Sequence, residues 1–346
     1  LYHRQAFTAL EQSQATPAEL AFHAGVAGLS QPAFSYAVAA GDEALALHAF
    51  STTTKFYEQA LNLADRVEIS SDQQCHLCIH YGRALELSGR YQDALDHYVE
   101  VSARAKQAGN KALELVTLVA QGTIRATANE YSNFALAETL GQQSLALAQA
   151  LDDKASEAKI QWNLLNVYRM QSRNKEALIA GEQSLALARE LDLREQMAYA
   201  ANDLLYVYMA LGDIPRILIS METATTLWRE LGNQPMLTDG LINLACTQAF
   251  LGSYDTALKI AGEALQIGQS LENKWAQSFS LSANALVYRQ MMTAELGLIA
   301  MTEAIQLAQA AGFTAGQVIV KSFQAQLLLY LGAVDEAWIL AQEACE

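Results

Sequence analysis

The segment SLALARELDL at residues 184–193 nearly copies SLALAQALDD at residues 144–153, forty residues earlier. Downstream copies keep this step: they read ATTLWRELGN (224–233), ALQIGQSLEN (264–273) and AIQLAQAAGF (304–313). Upstream copies follow at steps of 43 and 41 residues: they are VSARAKQAGN (101–110) and ALNLADRVEI (60–69). A register that holds over seven segments indicates a repeat protein and not a chance product of an Ala/Leu-rich composition.

Each repeat contains two helical patterns. The first, for example AKIQWNLLNVYRMQS at 158–172, has apolar residues at i, i+3, i+4 and i+7 and stops at glycine or a small polar residue. The second, for example NKEALIAGEQSLALARELD at 174–192, begins with residues that suit the positive end of a helix dipole. The chain has only four prolines, and alternating strand patterns are nearly absent. These features predict an all-α fold.

Small and aromatic residues recur around the loop that joins the two helices. Small residues stand seven positions before the loop residue and five after it, and tyrosines stand four before it. They are Gly82, Ala245, Ala285 and Ala325; Ala94, Ala177, Ala257 and Ala337; and Tyr168, Tyr208 and Tyr288. This layout resembles the tetratricopeptide repeat. The resemblance implies a right-handed α-solenoid of about seven helix pairs.

We expect a helical linker over residues 1–47 and the solenoid over residues 48–346. The predicted units are 48–74, 75–110, 111–153, 154–193, 194–233, 234–273, 274–313 and an incomplete 314–346. Two loops depart from the pattern. ATANEYSNFALAE replaces the loop glycine of unit 111–153, and Met292 replaces that of unit 274–313, so we expect a distorted loop or a change of curvature there.

The forty-residue period is similar to kinesin-light-chain and mitotic-adaptor repeats, and to the helical region that follows the ATPase module of STAND proteins and large transcriptional activators. The segment over residues 1–64, which begins LYHRQAFTAL, favours the second group. That resemblance implies a nucleotide-binding domain before residue 1. It also implies a cytoplasmic sensor or interaction module within a larger signalling ATPase or transcriptional regulator.

Composition excludes several classes of protein. The formal net charge of −15 argues against a nucleic-acid surface, which needs a dense positive footprint. No apolar run reaches the roughly 18–20 residues of a membrane-spanning helix. Four cysteines in 346 residues do not form a disulfide framework, so a reducing cytoplasm is expected.

The sequence shows no pattern typical of an enzyme. Phosphate-binding glycine loops, HExxH and serine nucleophile elbows are missing from it. The segment CHLCIH at 75–80 places two cysteines at i,i+3 and two histidines at i,i+4, on different faces of one helix. Four ligands then do not converge, so we expect no metal site, no cofactor and no catalysis.

In a helix-pair solenoid the first helix of each pair lines the concave wall. Groove positions then lie 13, 10, 9, 6, 3 and 2 residues before the loop residue. Those with side chains suited to gripping a ligand are Trp162, Asn163, Asn166, Arg169, Tyr199, Asn202, Asp203, Tyr206, Asn243, Phe250 and Arg289. Asparagine offers both a donor and an acceptor to a peptide backbone, the aromatic residues offer apolar anchors, and arginine suits a carboxylate. The NLLN segment at 163–166 is similar to the paired asparagines of mitotic-adaptor repeats, which grip peptide backbone.

Four interpretations stay open. In the first, the asparagines hydrogen-bond to one another and to neighbouring helices, and these bonds form a ladder, a row of hydrogen bonds within the solenoid. In the second the groove binds a protein or peptide, and in the third it binds a small effector such as a sugar. In the fourth the chain is a structural or self-association scaffold. We favour a polypeptide partner, either another protein or the protein's own ATPase module. The sequence leaves the oligomeric state open.

Overall fold

The structure, a computed structural model, describes residues 1–13, 15–47, 49–127, 129–312 and 314–345, without the side chains of 314 and 315. Every regular element in these ranges is an α-helix, so the predicted all-α fold is confirmed. None of the described helices combines the length and apolarity needed to cross a membrane. The chain forms two compact units, Leu1–Arg173 and Asn174–Glu346.

Within its described residues, the first unit contains nine helices. They are α1 (Tyr2–Glu11), α2 (Pro17–Val26), α3 (Ser30–Ala46), α4 (Phe50–Ala64), α5 (Ser71–Leu87), α6 (Tyr91–Ala108), α7 (Lys111–Ala126), α8 (Phe134–Leu151) and α9 (Lys154–Met170). Consecutive helices pack against each other, and α7 also packs against both α5 and α9. The predicted linker boundary at residue 47 falls between α3 and α4, which form one of these packed pairs, and residue 48 lies outside the described residues.

The second unit also contains nine helices in its described part. They are α10 (Asn174–Glu190), α11 (Arg194–Leu211), α12 (Ile214–Glu230), α13 (Gln234–Phe250), α14 (Tyr254–Ser270), α15 (Lys274–Gln290), α16 (Ala294–Ala311), α17 (Thr314–Tyr330) and α18 (Val334–Cys345). The pairs α11–α12, α13–α14, α15–α16 and α17–α18 are those that the forty-residue register predicts. The first helices of successive pairs also pack side by side, α13 on α15 and α15 on α17.

Left-handed residues end the helices at regular intervals. From residue 152 to residue 332 a positive φ recurs every twenty residues, at Asp152, Ser172, Asp192, Gly212, Gly232, Gly252, Glu272, Met292, Gly312 and Gly332. This conformation lets the amides that follow cap the last carbonyls of the helix. At Met292 the amide of Thr293 donates to the Tyr288 carbonyl, as the amide of Asp213 donates to the Tyr208 carbonyl after Gly212.

The two unusual loops therefore behave differently. Met292 has a φ of 63° and keeps the ordinary turn, so the distortion expected there is absent. The loop after α7 is longer, and the Asn129 side chain caps the helix end by donating to the Ile124 carbonyl at 2.7 Å. A side-chain amide thus caps a carbonyl at the end of this helix.

Small residues allow the paired helices to approach closely, as their positions predict. Ala94, Ala177, Ala257 and Ala285 have no exposed surface. At Gly82 of α5, an added Cβ would lie 2.2 Å from the Tyr98 hydroxyl of α6. The aromatic ring occupies the space that the glycine leaves, so this contact fixes how α5 and α6 pack.

Candidate functional site

The first helices of four successive pairs in the second unit line one groove. It encloses about 280 Å³ between α11, α13, α15 and α17, with one residue from α16. Its lining residues are Tyr206, Ile242, Asn243, Cys246, Phe250, Phe279, Ser282, Ala283, Ala285, Leu286, Arg289, Met301, Phe323, Gln326 and Leu327. Four of the predicted site residues lie together here, namely Tyr206, Asn243, Phe250 and Arg289.

Two lining residues that the sequence prediction missed follow the same spacing rule. Phe323 and Gln326 stand nine and six positions before Gly332, the loop residue of the last pair. Counting back from that glycine would have identified both. The groove therefore extends one helix further than the predicted residues.

The middle of the groove is apolar and accessible. The Phe250 side chain is 59% exposed and that of Phe323 is 39% exposed. Phe279 stacks on Trp275, with the ring centroids 5.0 Å apart, and this contact holds its ring against the groove wall. Aromatic residues, phenylalanine among them, are enriched in the surfaces that proteins bury on binding.

Polar groups share the groove lining with the aromatic rings. Arg289 Nη1 donates to Gln326 Oε1 at 3.1 Å, which joins α15 to α17 and orients the guanidinium. The Tyr206 hydroxyl donates to Asn243 Oδ1 at 3.4 Å, which joins α11 to α13. Arginine carries five N–H donors, so the contact with Gln326 leaves others for a carboxylate.

Two carboxylates lie near Tyr206 and Asn243. Asn202 Nδ2 donates to Asp203 Oδ1 at 3.3 Å and to Asp239 Oδ2 at 3.4 Å, and Asn243 Nδ2 lies 3.5 Å from the same Asp239 oxygen. Burial, together with the negative charge of Asp203, raises the pKa of Asp239 to about 6, although the hydrogen bond from Asn202 acts in the opposite direction. The predicted residue Tyr199 lies on the same helix, α11, and packs edge-on against the buried Trp228.

The other four predicted residues lie on α9 in the first unit. Asn163 Nδ2 donates to Thr123 Oγ1 of α7 at 3.1 Å, and Asn166 Nδ2 donates to the Trp162 carbonyl of its own helix. Arg169 donates to Asn166 Oδ1 at 3.0 Å. Trp162, Asn163 and Asn166 are all buried.

These contacts match the interpretation in which asparagines form a ladder within the repeats. Asn163 joins α9 to α7, and Asn202 and Asn243 meet at Asp239. The ladder is incomplete, because the buried acceptors Asn163 Oδ1 and Asn202 Oδ1 have no donor among the described residues. These bonds leave Phe250 of the groove largely exposed.

Comparisons with solved structures show the class of fold. The apo form of the quorum sensor NprR from B. thuringiensis is similar over 100% of this chain and 97% of its own, with a TM-score of 0.69 and 14% identity. NprR in complex with its cognate peptide NprX is similar over 73% of this chain and 72% of its own, with a TM-score of 0.55 and 13% identity. A STAND protein with a tetratricopeptide repeat sensor, from Pyrococcus horikoshii, is similar over 86% of this chain and 50% of its own, with a TM-score of 0.54 and 14% identity.

The chain has a fold of tetratricopeptide type. That statement rests on these structures, because no family model and no curated protein matches the sequence. The chain spans about half the length of the STAND protein that it resembles. A likeness at these identities shows the fold alone, because one fold can carry many functions.

A second cavity of about 360 Å³ lies among α10, α11 and α12. Arg216 lines it and already contacts two carboxylates, Glu182 Oε1 at 2.7 Å and Asp213 Oδ2 at 2.6 Å. The Arg216 guanidinium also lies over the Tyr208 ring at 4.9 Å. Arg189 also lines this cavity. Its aromatic lining residue among the described residues, Tyr208, is buried, so the cavity lacks the exposed aromatic anchors of the groove.

The CHLCIH segment lies in α5 with its two residue types on different faces, as predicted. Cys78 is buried in the apolar core of the unit, and burial followed by the nearby Cys75 raises the pKa of its thiol to about 12. His76 and His80 are half-buried and turn towards α3, where both contact Asp42. The sequence prediction missed Asp42, because it lies 34 residues before His76 and only the packing of α3 near α5 brings them together.

Proposed function

We propose that the groove of the second unit binds a short polypeptide and that the chain is a non-catalytic sensor or interaction module. The observation that carries the proposal is the lining, which contains exposed Phe250 and Phe323 together with the hydrogen-bonding side chains of Asn243, Arg289 and Gln326. Apolar anchors set among a few oriented polar groups are typical of peptide-binding grooves.

The charges suggest how a peptide is oriented. Arg289 lies in the groove lining and suits a carboxylate. Asp203 and Asp239 lie outside that lining, in the hydrogen-bonded group of Asn202 and Asn243, and would suit a basic group of a peptide that extends past Asn243. A peptide with an apolar centre, an acidic residue and a basic residue therefore fits the groove best. The solved complex of NprR with a peptide supports the proposal, because the same class of fold accommodates one.

In the cell, the module would belong to a larger cytoplasmic signalling ATPase or transcriptional regulator. The bound polypeptide would be a separate peptide or a segment of that protein's own ATPase module. This part of the proposal rests on the likeness to the STAND protein with a repeat sensor.

A selected peptide tests the binding site. We suggest selecting heptapeptides on the whole chain by phage display and measuring a fluorescein-labelled winner by fluorescence polarisation. Arg289→Gln is expected to weaken binding about 10–100-fold, since a hydrogen bond to a charged group contributes roughly 1.5–3 kcal/mol. Phe250→Ala is expected to weaken binding at least about tenfold through the loss of an aromatic anchor.

Ile299→Ala provides the matched control, because Ile299 is also a highly exposed apolar residue but lies on α16 outside the groove lining. It is expected to leave the dissociation constant unchanged. Equal affinity in all three folded variants would contradict the groove assignment. The small-effector alternative would be established instead if sugars or metabolites raised the thermal midpoint of the unaltered chain but not that of Arg289→Gln, and if peptides raised neither midpoint.

A further inference from the structure

Three side chains from two helices converge at one point in the first unit. His76 Nε2 lies 2.9 Å from Asp42 Oδ1, and His80 Nδ1 lies 3.4 Å from the same oxygen. One ligand atom from each of these residues lies within 4.8 Å of the other two. Across the described residues, this is the single group of three histidine, cysteine or acidic side chains with that geometry.

The sequence and the packing each contribute to the convergence. His76 and His80 lie at i,i+4 on α5, so one face of the helix presents both rings, whose centroids are 3.9 Å apart. Asp42 comes from α3, which contacts α5. Two imidazoles so close together repel each other when both are protonated, whereas a shared cation lets both neutral rings face the same point.

A fourth residue orients the carboxylate. The hydroxyl of Tyr57, a fully buried residue of α4, donates to Asp42 Oδ1 at 2.6 Å. Tyr57 fits there because residue 41 is glycine: a Cβ at Gly41 would lie 2.5 Å from the Tyr57 ring. Hydrogen bonds of this kind from outside the ligand set fix ligating carboxylates in many metal sites.

We propose that Asp42, His76 and His80 bind a zinc ion that links α3 to α5. Ligand atoms about 2.1 Å from a tetrahedral zinc ion stand roughly 3.4 Å from one another, so the observed separations need only small side-chain rotations. Two imidazole nitrogens with one carboxylate oxygen suit zinc better than calcium or magnesium, which prefer all-oxygen sites. Three protein ligands leave the fourth position to water or to a group from a partner.

The other close histidine pair of this unit provides a comparison. His3 Nδ1 and His23 Nδ1 lie 3.1 Å apart, on α1 and α2, and within the described part of the chain they form no three-residue group with a carboxylate. His23→Ala is thus a matched control that removes one imidazole from a close pair. Cys75→Ala controls for zinc held by the half-buried thiol beside His76.

The test is a zinc titration of the whole 346-residue chain after treatment with a chelator, measured by isothermal calorimetry. We expect one zinc ion per chain. Tyr57→Phe is expected to weaken binding about 10–100-fold, the usual effect of losing an outer-shell partner, and Asp42→Asn, His76→Ala and His80→Ala to weaken it more than that. His23→Ala and Cys75→Ala are expected to bind as the unaltered chain does.

A second measurement guards against misfolded variants. Zinc is expected to raise the thermal midpoint of the unaltered chain and of His23→Ala, and to leave that of Asp42→Asn unchanged, with helical circular dichroism confirming that each is folded. Unaltered zinc affinity in folded Asp42→Asn and His80→Ala, or no zinc binding by the unaltered chain, would overturn the proposal. The outcome is independent of peptide binding, which involves the other unit.

Discussion

At the scale of single residues, the left-handed turn positions store strain wherever they are not glycine. Glu272 and Gly232 occupy equivalent turns forty residues apart, with φ values of 52° and 68°. The left-handed conformation destabilises a residue with a Cβ by roughly 1–2 kcal/mol. Glycine avoids this strain but loses more backbone entropy on folding, which offsets part of the difference. We expect Glu272→Gly to raise the free energy of unfolding by about 0.5–1 kcal/mol in urea denaturation.

The reverse substitution checks the cause. Gly232→Ala is expected to lower the free energy of unfolding by about 1 kcal/mol. A Cβ at Gly232 would meet no described residue within 4 Å, so the effect is expected from the backbone conformation. Changes of the same sign in the two variants would show that φ is not the controlling variable.

Asp239 is a second residue whose effect can be isolated. Its pKa of about 6 in the folded chain exceeds the value of about 3.9 for an unfolded aspartate. Between these values the native state binds more protons than the unfolded state, so the Asp239 contribution to stability falls as the pH rises from about 4 to 6. Relative to Asp239→Asn, the unaltered chain should lose on the order of 2 kcal/mol of unfolding free energy over that range.

Urea unfolding at several pH values measures this difference. Asparagine keeps an acceptor for Asn202 and Asn243, so the variant removes the charge and preserves the contacts. Asp335→Asn, at an exposed position of α18, controls for the change in net charge and should stay parallel to the unaltered chain. Parallel curves for Asp239→Asn would show that its carboxyl titrates normally.

At the scale of helices, Gly82 sets the distance between α5 and α6. Its Cβ position lies 2.2 Å from the Tyr98 hydroxyl, which in turn donates to Glu86 Oε1 at 2.9 Å. We expect Gly82→Ala to lower the free energy of unfolding by about 1–3 kcal/mol or more, because Tyr98 has to leave its place and its hydrogen bond. Chemical denaturation measures the change.

Gly262 of α14 provides the matched control. It is also a glycine inside a helix, but no neighbouring atom of the described residues lies within 4 Å of its Cβ position. Gly262→Ala is expected to raise stability by about 0.5–1 kcal/mol, as alanine does at an unobstructed helix position. If Gly82→Ala were equally stabilising, the close approach of Tyr98 would not limit the packing of α5 and α6.

At the scale of the whole molecule, the two proposed sites lie in different compact units. The Asp42–His76–His80 group belongs to Leu1–Arg173, and the groove belongs to Asn174–Glu346. Both use side chains that project from ordinary repeat helices, so neither needs an inserted loop. A repeat fold can carry separate binding surfaces in this way because each helix pair is stabilised mainly by its neighbours.

Much of the fold could be predicted from the sequence because it depends on interactions between residues close in the chain. The turn at Met292 and the packing of Ala285 depend on neighbours close in the chain, so their positions repeat with the period. The same period predicted Tyr206, Asn243, Phe250 and Arg289 as groove residues, and it would have predicted Phe323 from Gly332. Whether those residues bind a ligand stays a prediction.

The sequence by itself determined the helix pairs, their turns and which helix of each pair lines the groove, because these follow from a periodic pattern of neighbouring residues. Only the tertiary structure decided which side chains meet across helices. It placed Asn163 against α7 and joined Asn202 to Asp239, and it brought Asp42 to His76 and His80. Such contacts depend on the angle and distance at which whole helices pack, and a spacing within one helix does not carry that information.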